Sequence, residues 1–458
     1  MNFLLWDTLS KYASTNHLAH ILLNNWNTIG KDEKEVDYLE LFQNPSFQQT
    51  SNIVKEYYEQ YETNRGMGES PDTNVQWTEL DLRLNSLSVS GFRGFPPVKQ
   101  DELGYGLAFS MPDTNNRRIP CSTILLGSNG SGKTSLYSAI ELICTGTSAI
   151  AQKHRIESKY QSEFYHHLSD VEGRMDISIT CSRISANSSG SKLTKFDKND
   201  QIYSHISLKS FFCSESDLAL FECSGKSIKE YINELIELDE ILKVKDILSS
   251  YYRLLLDSFE NLSESDKKDD SRVSYIHREM ELAESLRITL EKVRNLLLNS
   301  VFSEAQHILL ALLNDYSDDI VEPDYDTIEI EDKKVRIFNG KLRVKNRPEY
   351  QLEPRRYFNN FRFKLYLISI RVAIAFYIMK ERRISFPLIF DDIFDSSDFP
   401  NRLSTKNFFR TIFGLYRELK ISNRPLQLIF FTQDEVIAES VFDGKRVKKT
   451  YCGNVIKC

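Results

Sequence analysis

The residues best suited to chemistry lie in one short run, Gly127-Ser128-Asn129-Gly130-Ser131-Gly132-Lys133-Thr134-Ser135. The first eight follow the phosphate-loop spacing G-x-x-x-x-G-K-[ST]. Glycines let the backbone curl so that its N–H groups converge on a phosphate chain, and the following helix N-terminus adds positive potential. Lys133 is suited to neutralise β- and γ-phosphates, and the Thr134 hydroxyl to ligate Mg²⁺. The context is the required one: an apolar strand, Ser122 to Leu126, enters the loop and a helix, Thr134 to Cys144, leaves it.

Such a loop needs a carboxylate across the magnesium, at the end of a neighbouring buried strand. Pro387-Leu-Ile-Phe-Asp391-Asp392 supplies one. Asp391 is expected to hold Mg²⁺ through water, and Asp392 to orient or deprotonate an attacking water. The alternative is a strand merely capped by solvated acids. A further acid, Asp398, comes six positions after Asp392.

These residues need elements to hold them. Residues 1–80 read as helices, with NFLLWDTLSKYA, HLAHILLNNW and NIVKEYYEQYE carrying apolar side chains three and four apart. The polar NRGMGESPDTN closes that unit. Leu84 to Ser90 then alternates as a strand does, ahead of Gly91-Phe-Arg-Gly-Phe95. Strands are expected at Met175–Cys181 and Ser207–Cys213. Residues 225–320 are helix formers broken at Ser263 to Ser271, which predicts two antiparallel arms of about 35 residues, each reaching roughly 50 Å. They either project or fold back as an ordinary subdomain. Further strands are expected at Thr327–Ile330, Lys333–Phe338, Leu342–Val344 past Asn339-Gly340, and Gln427–Phe431, and an apolar helix at Phe361–Lys380. The resulting division is a helical unit at 1–80, an N-terminal lobe at 81–224, a helical hairpin at 225–320 and a C-terminal lobe at 321–458.

Composition bounds the possibilities. The chain has 458 residues, more than one typical domain. Lys+Arg 58 against Asp+Glu 65 gives a net charge of −7, which excludes a histone-like basic binder. Its 41% hydrophobic content excludes a disordered tail. The cysteines are odd in number and never spaced C-x-x-C, so buried thiols in a reducing cytosol are expected rather than disulfides or zinc. The N-terminus lacks the features of a secretory signal. Leu365 to Met379 is too short to span a bilayer and contains Arg371. The expectation is a soluble, cytoplasmic protein without a membrane partner.

The order of these motifs resembles the ABC-type P-loop ATPases of the RecF and SMC group. The resemblance covers about residues 82–458 and is carried by Gly91-Phe-Arg-Gly-Phe95, the phosphate loop, the acidic strand and the spacing of Asp392 to Asp398. It implies an α/β head split between the chain's two ends around an inserted helical hairpin, with ATP and Mg²⁺ as cofactors. It places Glu215 where the family has a Q-loop glutamine, as a further magnesium contact. It places Asn359 in the signature loop and Gln433 at the switch position after the last strand. For Asn359 a simple helix cap is an equal alternative. Asp392 stands where the family usually has a glutamate, and Gln433 cannot carry a proton charge. Slow turnover is the expectation, a switch more than a motor. The resemblance also implies ATP sandwiched between two copies, as a homodimer or higher oligomer, with Asn359, Arg362 and Asp398 supplied in trans.

Two functional readings remain. One is an ATP-gated sensor and scaffold holding a separate protein effector such as a nuclease, as in bacterial anti-phage systems that resemble this chain. The other is a DNA-binding ATPase of repair or recombination. The basic stretches Lys333–Arg356 and Lys445–Lys449 could follow a nucleic-acid backbone, or be solvated sheet faces, the reading slightly favoured for an acidic chain. The helical N-terminal unit and the altered switch positions favour the first reading.

Overall fold

Runs of apolar residues without alternation belong in strands covered on both faces. Thr123–Leu126, Leu388–Asp391 and Leu428–Thr432 are buried at every position. In the computed structural model they lie in a five-stranded sheet, in the order Lys448–Tyr451, Thr123–Leu126, Leu428–Thr432, Leu388–Asp391, Phe212–Ser214. Every neighbouring pair is parallel. Strands from both ends of the chain thus build one α/β sheet. Its register sets Asp391 beside Phe431 and Ser214, and Thr432 beside Leu126, so the carboxyl ends align on one edge. Ligands of open α/β sheets bind outside that edge.

The described residues are 3–13, 15–23, 41–42, 79–97, 105–146, 148–156, 164–168, 175–181, 192–194, 208–236, 238–262, 270–314, 321–330, 333–394, 399–440, 448–451 and 456–457. They fall into two compact units. The first comprises Met1–Trp77, Glu237–Leu298 and Glu329–Lys333, and the second Thr78–Ile236, Asn299–Ile328 and Lys334–Cys458.

Within the first unit, Asn16 Nδ2 donates to Leu282 O at 2.9 Å, and Tyr251 OH donates to the buried Glu279 at 3.0 Å. The N-terminal helix-forming segment therefore shares a unit with residues 237–298 of the hairpin, while residues 299–314 of the second arm belong to the second unit. The arms are unequal, Asp239–Glu260 having 22 residues and Asp270–Asn314 having 45. The stretch preceding them forms a separate helix, Ile228–Leu235, in the second unit, because Ser227 and Glu230 close a capping box that starts a new helix there. The segment NIVKEYYEQYE and most of the hairpin tip lie outside the described residues.

In the second unit an antiparallel sheet runs Ile456–Lys457, Tyr105–Ala108, Leu84–Ser90, Asp176–Cys181, Lys192–Thr194. Gln427 ties it to the parallel sheet: its amide accepts from Leu84 N and donates to Leu84 O, both at 2.8 Å, and to Cys121 O at 3.1 Å. The helix Asn360–Arg382 is buried continuously from Phe363 to Phe376, as expected of a helix apolar on all sides.

Two strands differ from expectation. Lys333–Val344 is one strand that passes through Asn339-Gly340, with Gly340 at φ +85° and Leu342 buried opposite Leu352. Burial of Leu342 overrides the local turn propensity, and the chain turns at Lys345-Asn346 instead. Strand Phe212–Ser214 is short because Lys209–Phe211 forms a single 3₁₀ turn. Cys121, Cys144, Cys181 and Cys213 are not joined in disulfides, and burial pushes the Cys213 thiol up to about 12. Among the described residues no helix is long and apolar enough to cross a membrane.

Candidate active site

The phosphate loop leaves the sheet at Leu126, where Gly127 N donates to Thr432 O at 3.2 Å. Gly130 and Gly132 take φ of +81° and +96°, which wrap the loop. A Cβ on Gly132 would lie 3.0 Å from Phe95 Cζ, so the Gly91–Phe95 turn closes directly over the loop. The helix Lys133–Thr145 starts there with its N-terminus at the loop. Lys133 is 4% exposed, and its Nζ donates to Gly127 O at 2.7 Å and Ser128 O at 3.2 Å. Those carbonyls hold the ammonium inside the loop, the place from which it can meet a phosphate oxygen. Ser128, Asn129 and Gly130 are open to solvent, whereas Ser131 Oγ is buried without a partner. Ser135 is buried one residue beyond Thr134.

Asp391 and Asp392 come to the same place. Lys133 Nζ lies 3.7 Å from Asp392 Oδ2, and Asp392 Oδ1 accepts from Gln433 N at 3.1 Å. Asp392 itself sits at φ +48°, a region that aspartate and asparagine enter more readily than longer side chains. This backbone explains the shorter acid at this position. Asp391 is buried, and burial followed by the neighbouring Asp392 pushes its carboxyl up to about 7, against a hydrogen bond from Thr134. Its Oδ1 is buried with no partner. A buried carboxylate oxygen without a donor beside a threonine hydroxyl is a hard-oxygen donor set, and it fits Mg²⁺. Among the described residues no group of three or more His, Cys, Asp or Glu side chains could hold a metal.

The remaining residues singled out in the sequence are placed less uniformly. Glu215 follows strand Phe212–Ser214 at the same sheet edge, but both of its oxygens accept from Lys364 Nζ, at 2.7 and 2.8 Å. Asn359 caps the helix Asn360–Arg382, its Oδ1 accepting from Arg362 N at 2.9 Å. Gln433 meets the site through its backbone N–H. Asp398 lies outside the described residues.

Sequence reasoning missed a buried polar cluster behind the loop. Arg371 is buried in the apolar helix, where its guanidinium bonds Tyr231 OH, the carbonyls of Phe212 and Lys209, and Asp217 Oδ1 at 3.3 Å. Asp217 Oδ2 accepts from Ser214 N at 2.9 Å and from Tyr137 OH, on the phosphate-loop helix, at 3.3 Å. Glu141, on that helix, is buried and accepts from Ala149 N at 3.0 Å; burial and then Asp217 raise its carboxyl well above the usual range. The available signal was Arg371 itself, since a charge inside an apolar helical run requires partners.

A family model described as an AAA domain matches residues 86–352. No curated protein matches the chain. Among solved structures, the recombination mediator protein RecF with ATPrS, of the RecFOR pathway, is 14% identical, covering 82% of this chain and 98% of that chain with a TM-score of 0.43. The Smc head domain of Pyrococcus furiosus, with an extended coiled coil and bound to the C-terminal domain of ScpA, is 16% identical, covering 78% and 91% with a TM-score of 0.36. The SMC head domain of Thermotoga maritima is 11% identical, covering 78% and 92% with a TM-score of 0.32.

Proposed function

The chain belongs to the AAA domain family, and from that premise we propose that it is a cytoplasmic, Mg²⁺-dependent ATPase of the RecF/SMC group that hydrolyses slowly and works as a switch. The observation that carries this reading is the convergence of Lys133, Asp391 with its unpartnered Oδ1, and Asp392 at the carboxyl edge of the sheet. The backbone from Gly127 to Thr134 binds the phosphates, and Lys133 exchanges its loop carbonyls for β- and γ-phosphate oxygens. Thr134 and Asp391 would hold Mg²⁺, with Glu215 as a further contact, and the ion they hold would supply charge neutralisation on the phosphates. Asp392, fixed by Gln433 N, orients the attacking water and accepts its proton.

ATP joins two copies, Asn359 and Asp398 of one facing the phosphate loop of the other, and hydrolysis releases them. The assembled form gates a protein effector such as a nuclease in bacterial anti-phage defence. Support for that role comes from Glu215, Asp392 and Gln433, which suit slow turnover, and from residues 1–77, which precede the family match and belong to the other compact unit. The test is the steady-state ATPase rate of the purified chain with and without double-stranded DNA at low salt, with Lys133→Ala as the blank. A slow rate indifferent to DNA is expected. Strong stimulation by DNA would replace the effector role with a repair-type role.

A further inference from the structure

Glu215, with its side chain 40% exposed, is an awkward addition to an acidic sheet edge. It begins helix Glu215–Ser224 directly after Ser214, the register partner of Asp391, so its charge is added to an edge already carrying Asp391 and Asp392. A nucleotide's phosphates would bring more negative charge to that edge. Lys364 is equally awkward alone. It is 6% exposed, and an ammonium taken out of water needs a partner. It also lies near the start of helix Asn360–Arg382, where the dipole disfavours a cation. The two groups resolve each other through both Glu215 oxygens, at 2.7 and 2.8 Å. Glu215 gains further from its own position in the first turn of a helix.

We propose that Lys364 is a positioning residue that makes glutamate workable at this strand end. Paired, Glu215 adds no net charge beside the phosphates, and Lys364 competes with Mg²⁺ and its water shell for the same carboxylate. Any turn of Glu215 toward the metal must loosen its hold on the Asn360–Arg382 helix. The inference rests on the ATPase reading above and adds to it an ion pair responsive to Mg²⁺.

The test is binding of a fluorescent N-methylanthraniloyl ATP, in EDTA and across a Mg²⁺ titration, together with thermal denaturation of each nucleotide-free variant. Lys364→Met exposes the Glu215 charge, so affinity in EDTA should fall about three- to ten-fold, as for an unscreened charge at partial burial. The Mg²⁺ concentration for half-maximal binding should fall as well. Adding Glu215→Gln to Lys364→Met removes the charge and should restore the affinity in EDTA, while the Mg²⁺ concentration for half-maximal binding rises to or above the parent's because a metal contact is lost; Lys364→Arg should retain both values. Should Lys364→Met fold poorly, Lys364→Gln gives the same readout. Parent binding that Lys133→Ala abolishes, but that is indifferent to Lys364→Met or unrescued by the double variant, overturns this inference alone. Parent binding that survives Lys133→Ala overturns the ATPase reading and this one with it.

Discussion

Replacing Gly132 by alanine isolates how the Gly91–Phe95 turn shapes the phosphate loop. Gly130 and Gly132 both have positive φ, +81° and +96°, so an alanine at either position is strained by its backbone, at about 1–2 kcal/mol. They differ in surroundings. A Cβ at Gly130 meets nothing within 4 Å, whereas at Gly132 it meets Phe95 Cζ at 3.0 Å. Phe95 is 7% exposed and packs on Tyr105 at 5.4 Å between ring centroids, so it cannot move away freely. Overpacking of this kind adds roughly 1–2 kcal/mol, giving about 2–4 kcal/mol for Gly132→Ala against about 1–2 for Gly130→Ala. Urea denaturation of both variants measures the difference. A double-mutant cycle of Gly132→Ala with Phe95→Leu should return a favourable coupling of about 1 kcal/mol, since the smaller side chain yields space. The ATP-analogue affinity of Gly132→Ala should fall at least as far as that of Gly130→Ala. Equal destabilisation by the two alanines, or no coupling to Phe95→Leu, would show that the ring does not brace the loop.

Three further outcomes are expected. Asp392→Asn tolerates φ +48°, so nucleotide binding should persist while turnover falls by about 10²-fold or more, the scale of a lost general base; single-turnover hydrolysis checks this, and gel filtration with ATP should show the assembled form accumulating. Glu141 has a raised carboxyl pKa through burial and then Asp217, so the stability its proton confers is present below the ordinary glutamate range and lost as pH rises through the folded value. Glu141→Gln mimics the protonated acid, and its melting temperature should decline less than the parent's between about pH 5 and pH 9; parallel declines would argue against a protonated Glu141. Arg371→Leu removes the counter-charge of Asp217, which keeps its hydrogen bonds from Ser214 and Tyr137, and removes the donor to Tyr231 OH; it should cost about 3–5 kcal/mol by chemical denaturation, part of it recovered on adding Asp217→Asn.

Much of the candidate site was legible because its chemistry is local. The wrapped loop needs its glycines at fixed spacing, the lysine and threonine follow on the first helical turn, and the acidic strand advertises itself as an apolar run ending in two carboxylates. Those constraints act between residues a few positions apart, so a linear pattern records them, and the resemblance they carry implied the split α/β sheet, whereas the approach of Lys133 to Asp392 appears only in the fold. What depended on distant partners was not recorded. Glu215 reads as one more acid until Lys364, from a helix far along the chain, is placed against both its oxygens. Arg371 reads as an interruption of an apolar run until the fold brings Asp217, Tyr231 and two carbonyls around it. The association of the N-terminal helices with residues 237–298 was equally invisible, since amphipathic periodicity shows that a face must be buried and not which element buries it. Asn339-Gly340 shows the same contest inside one strand, where burial of Leu342 outweighs a strong local turn signal. Short-range backbone geometry is written in residue types and their spacing, whereas charge compensation and packing are settled only when the folded chain chooses the neighbours.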